Sequence, residues 1–71
     1  MRTCRVDFAP STHYEPQSYP DAYAGVGRAG ELVIMREVVE TIDGQPHHKA
    51  ETLYVFAPGT WFSVTYEDSA T

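Results

Sequence analysis

Cysteine is almost absent: Cys4 stands alone in 71 residues, so no internal disulfide can form. Secreted domains of this size usually need covalent staples. The sequence therefore reads as an intracellular, cytoplasmic protein, with an extracellular dimer joined through Cys4 as the alternative. Long apolar runs are missing too. The longest is Leu32–Met35, far below a membrane span, and residues 1–7 contain nothing like a signal peptide's apolar stretch. No membrane partner is expected. Basic residues are scarce, five Lys plus Arg against ten Asp plus Glu, for a formal charge of −5. Residues 1–30 are balanced, so all of the net charge falls in residues 31–71. Direct nucleic-acid binding is not expected, because phosphate contacts require basic surface. A basic protein partner would be attracted instead.

Apolar bulk is limited as well. Leu, Ile, Val and Phe number 14, about a fifth of the chain. One thin core in a single domain spanning 1–71 is the most such a chain can build. Five Tyr and one Trp supplement it.

The pattern of what is present points to strands. In residues 2–8, Cys4, Val6 and Phe8 alternate with Thr3, Arg5 and Asp7, as in a half-buried strand. Residues 9–30 carry Pro10, Pro16 and Pro20 with Tyr14, Tyr19 and Tyr23, and read as a long ordered excursion laid across a sheet, with room for a short turn of helix starting near Pro20. Residues 31–43 fit helical spacing at Met35, Val38, Val39 and Ile42. Their content of Val, Ile and Thr nevertheless favours a long, bulged strand. Residues 49–57 and 60–67 flank the turn dipeptide Pro58-Gly59 and suggest a hairpin. A two-residue turn there would place Leu53, Val55, Phe62, Val64 and Tyr66 on one face, and Tyr54, Phe56 and Trp61 on the other. A wider loop would exchange the faces. The expected fold is all-β: a small antiparallel sheet or partly open barrel of four to five strands. The alternative is α+β, with 31–42 helical. The core expected from this reading is Cys4, Val6, Phe8, Leu53, Val55, Phe62 and Val64.

No motif carries strong chemistry. Gly25-Val26-Gly27-Arg28-Ala29-Gly30 matches a dinucleotide-binding pattern, but the residues before it are not an apolar strand, so a turn is the better reading. His47-His48 would point in opposite directions in an extended chain and read as a polar hairpin tip, Gly44–His48. No metal and no cofactor is expected, and no enzyme; a small hydrolase or lyase using His47 or His48 with Glu40 or Glu51 is kept as an alternative.

The remaining candidates are aromatic and acidic. Tyr14, Tyr19, Tyr23, Tyr54, Phe56 and Trp61 have the chemistry of interface anchors, or else the loop tyrosines simply cover the sheet. Glu37, Glu40 and Glu51 would line one ribbon if 31–43 pairs with 49–57. Glu37, Glu40, Glu51, Tyr54, Phe56 and Trp61 are the candidate partner-binding residues of a small acidic protein that blocks a basic surface, on a nucleic-acid-handling partner, by imitating nucleic-acid charge. A structural or assembly subunit, a homodimer through an aromatic sheet face, is the competing expectation. In size, charge and absence of catalytic residues the chain is similar to small phage inhibitors such as anti-CRISPR proteins. That likeness covers no motif and transfers no residue.

Overall fold

The computed structural model describes residues 2–68, and every element in them is extended except one short 3-10 turn. Six strands form in chain order: β1 (Arg2–Phe8), β2 (Gln17–Pro20), β3 (Tyr23–Val26), β4 (Leu32–Ile42), β5 (Gln45–Phe56) and β6 (Trp61–Asp68). They make two antiparallel three-stranded sheets, ordered β2-β1-β6 and β3-β4-β5. The all-β expectation holds, and residues 32–42 are strand, as their β-branched content favoured.

Residues 9–30 differ from the single excursion expected. They hold the 3-10 turn Pro10–Thr12 and two edge strands, one for each sheet; no helical turn starts near Pro20, which ends β2. The chain changes sheets at Asp21, whose φ of 55° turns the backbone while its N–H donates to the Arg2 carbonyl at 2.9 Å. It changes back at Pro58-Gly59-Thr60, where Thr60 N–H donates to Ala57 O. Pro58-Gly59 is therefore a link between sheets. The hairpin expected between 49–57 and 60–67 does not form, because β5 pairs with β4 and β6 pairs with β1.

The turn at Asp43-Gly44 joins β4 to β5 in two residues, both with positive φ (51° and 76°). This is the geometry whose twist suits a tight hairpin, and Asp-Gly is among the pairs that tolerate it. The tip is thus shorter than the expected Gly44–His48, since His47 and His48 lie within β5.

The core lies between the sheets, where Cys4 and Val6 of β1 meet Ala22 and Leu32 and Ile34 of β4. Phe8, Leu53, Phe56, Trp61 and Val64 pack around it, partly buried. Two expected core residues are outside: Val55 is 59% exposed and Phe62 is 73% exposed. Bulges are the cause. Ser63 pairs with Asp7 and Trp61 with Phe8, so Phe62 has no opposite number and is turned outward. On β5, Tyr54 pairs with Ile34 and Thr52 with Met35, leaving Leu53 as the extra residue. Each bulge reverses the alternation, so Phe56 and Trp61 turn inward.

Polar contacts tie the two layers together. Tyr66 Oη accepts the Ala24 N–H at 2.9 Å, satisfying a donor on β3 from β6. Trp61 Nε1–H donates to the Gly30 carbonyl at 3.0 Å, anchoring the β3–β4 loop. That loop holds residues 27–30 of the glycine-rich 25–30 segment, whose first two residues end β3. It connects antiparallel strands, with Gly27 N–H bonded to Glu31 O and Ala29 N–H to the Glu31 carboxylate. The segment leads into strand β4, whereas a pyrophosphate site would need a helix N-terminus at that point.

Candidate functional site

Beyond residue 35, β4 and β5 leave the body of the molecule and continue as a two-stranded ribbon. At about 3.3 Å per residue, twelve-residue β5 runs roughly 40 Å, most of the molecule's 49 Å long dimension. Residues 40–52 are exposed throughout. The ribbon pairs Arg36 with Glu51, Val38 with Lys49, Val39 with His48 and Glu40 with His47. Directly opposed residues share a face, so Glu40 and Glu51 lie on one side and Glu37 on the other.

All three carboxylates meet a basic group within the ribbon. Arg36 donates to Glu51 at 2.8 Å, Lys49 contacts Glu40, and His48 Nδ1 contacts Glu37. The Glu40 carboxylate raises the Lys49 pKa, chiefly through their hydrogen bond. Four carboxylates and two fixed cations leave residues 36–51 at −2. The ribbon is therefore a latticework of exposed pairs more than a bare acidic strip. Exposed pairs of this kind are screened by solvent and contribute little to stability, so a basic partner can exchange them readily. His47 and His48 project to opposite faces. His48 meets Glu37 rather than Glu40 or Glu51, with both side chains more than half exposed. Among the described residues no three His, Cys, Asp or Glu side chains come close enough to share a metal ion.

The aromatic candidates separate. Trp61 is half-buried and spends its N–H on the β3–β4 loop. Tyr54 and Phe56 stand where β5 passes the edge strand β2, and there they join the candidate rings Tyr14 and Tyr19 and one ring read only as core, Phe8. Phe8 meets Phe56 edge-on at 5.0 Å and Tyr14 edge-on at 5.6 Å. Tyr54 lies 5.2 Å from Tyr19 and stacks on Phe56 at 6.1 Å. These five rings, with Glu15 and Gln17, line an open groove of about 360 Å³ between the sheets. Tyr14 is 66% and Tyr54 52% exposed, so their faces are available. Burial, then Tyr54 and Cys4, push the Tyr19 hydroxyl upward, so it stays a neutral donor. The signal for the groove was present in the sequence as tyrosines in a proline-rich segment. Its pairing with β5 depends on the sheet change at Asp21, which composition does not reveal.

A second, wider cleft of about 560 Å³ lies beside the ribbon's root, lined by Arg2, Asp21, Ala22, Tyr23, Arg36 and Glu37. It mixes two cations with two carboxylates and is lined by a single aromatic ring, Tyr23. The Arg2 guanidinium sits 4.9 Å over the Tyr66 ring.

No helix among the described residues is long and apolar enough to cross a membrane. Comparison with protein-family models, with curated proteins and with solved structures gave no match to this chain.

Proposed function

We propose that this chain is a small, non-catalytic binding protein that occupies a basic surface on a larger partner that handles nucleic acid. The observation that carries the reading is the aromatic groove. Five rings converge on one side of the molecule, two of them largely exposed, with Glu15 as the charged residue in the lining. Exposed aromatics bury large area at low entropy cost, which is what interface anchors need. A carboxylate among them favours an Arg or Lys side chain, whose cation can also lie over a ring face. The charge of −5 supplies steering toward such a surface.

In this reading Tyr54 and Phe56 anchor the complex, joined by Tyr14 and Tyr19. Glu37, Glu40 and Glu51 trade their ribbon partners for cations of the target. Trp61 supports the fold. The action is a steric and electrostatic block without turnover, the role an inhibitor of the phage type would fill. Affinity capture from the native host, with mass spectrometry, identifies the partner. Association should slow markedly between 50 and 500 mM salt, as the screening length falls from roughly 14 to roughly 4 Å. Tyr54→Ala should raise the dissociation rate while leaving the salt slope of association in place. An acidic partner, or association indifferent to salt, overturns the proposal.

A further inference from the structure

The ribbon has a feature that the groove does not use. β5 has β4 on one side only, and along residues 45–52 every side chain is exposed. In a two-residue hairpin the pair flanking the turn, Ile42 and Gln45, exchanges both backbone bonds, and the bonding alternates from there. His48 and Ala50 therefore aim their N–H and C=O groups away from β4. So does Pro46, which has no N–H to offer. The result is a short unpaired edge, His48–Thr52, that stops at a proline. An uncovered strand edge is a template for another strand.

We propose that this edge pairs with the same edge of a second copy, antiparallel about a two-fold axis at Ala50, merging two three-stranded sheets into one of six. Charge fixes the occupant and the register. With Ala50 facing Ala50 of the second copy, Lys49 stands opposite Glu51, and symmetry makes that pair twice. The neighbouring registers that keep the same groups at the edge centre on Lys49 or on Glu51. Those set two lysines or two glutamates face to face, which is unfavourable across a sheet. The small Ala50 side chain lets the strands approach without obstruction. Like pairs with like here, so the contact closes as a dimer instead of propagating. The intramolecular contacts Arg36–Glu51 and Glu40–Lys49 extend the two cross-dimer pairs into one network. Partial cover also suits the ribbon, since an isolated two-stranded hairpin is marginal in water.

Sedimentation velocity on the full chain, at about 10 to 300 µM because assembly depends on concentration, tests this with three variants. The wild type should show a monomer–dimer equilibrium. Ala50→Pro removes an edge donor that β4 does not use, and should sediment as monomer with an unchanged far-UV spectrum. Lys49→Glu should weaken dimerisation about tenfold or more, because both symmetric pairs become repulsive. Lys49→Glu with Glu51→Lys, combined with Arg36→Glu and Glu40→Lys so that the two intramolecular pairs are kept, restores the complementarity and should restore the dimer. A wild type that stays monomeric throughout overturns the proposal. So does a dimer unmoved by Ala50→Pro and Lys49→Glu, which would place self-association on another surface, such as the β4 edge or the groove.

Discussion

Ile34 and Phe62 reverse the ranking that simple alternation assigns, and that makes them a sharp pair to mutate. Ile34 is fully buried in the cluster with Leu32, Cys4 and Val6, whereas Phe62 is 73% exposed on a bulge. Ile34→Ala deletes three carbons, about 2.4 kcal/mol of transfer energy at roughly 0.8 per methylene. A residual cavity adds to that, bringing the total to about 3–4 kcal/mol, within the range for such truncations. A 71-residue domain typically has about 4–11 kcal/mol in hand, so the loss is a large fraction of the whole. At about 4–8 °C per kcal/mol for a domain of this size, the midpoint should fall by about 12 °C or more. Phe62→Ala should cost about 0.5 kcal/mol or less, as an exposed substitution. Thermal and urea unfolding followed by circular dichroism measure both. If Phe62→Ala proves as costly as Ile34→Ala, the bulge at Phe62 is misplaced and the β6 register fails with it.

Tyr66→Phe removes the acceptor for the Ala24 N–H and should cost about 0.5–1.5 kcal/mol, with faster hydrogen exchange at the Ala24 amide as its local signature. Trp61→Phe should free the β3–β4 loop from its Gly30 tether, seen as raised amide exchange across 27–31, with groove binding retained. The Cys4 thiol is pushed up by burial, so native protein should react with iodoacetamide far more slowly than unfolded chain. Its folded pKa lies above the unfolded one. Its contribution to stability is accordingly complete below about pH 8 and declines as the pH rises past the unfolded thiol's value of about 8.5. Urea titrations at pH 7 and pH 10, compared with those of Cys4→Ala, read this directly: the difference between the two proteins should narrow at pH 10.

The strands themselves were legible because their signals are local. Cys4, Val6 and Phe8 alternate, β-branched residues fill 32–42, and Asp43-Gly44 fits a turn with positive φ at both positions. What the sequence concealed depends on partners distant in the chain. Nothing near Pro58-Gly59 shows that the strands on either side belong to different sheets. The bulges opposite Ile34/Met35 and Asp7/Phe8 each reverse a side-chain alternation, so Val55 and Phe62 left the expected core while Phe56 and Trp61 entered it. A period-two reading cannot see a one-residue insertion whose cause lies in the opposite strand. The candidate site was half visible for the same reason. Tyr54 and Phe56 stood out as large rings on a strand. Tyr19 joins them because β2 returns along β1 and passes beside β5, and Tyr14 joins through the ring of Phe8. The ribbon carboxylates were placed correctly on paired strands, yet their neutralisation by Arg36, His48 and Lys49 arises from diagonal and direct neighbours that a charge count ignores.

The groove as the contact surface for a basic partner is the central claim, and a map of amide shifts tests it most directly. The labelled chain is titrated with the partner recovered by capture, at low and high salt. The largest changes should fall at Phe8, Tyr14, Tyr19, Tyr54 and Phe56, with smaller ones along the ribbon carboxylates, and they should disappear in Tyr54→Ala. Changes centred on the outer face of β1 and β6, around Arg5, Phe62 and Thr65, with the groove unmoved, would contradict it.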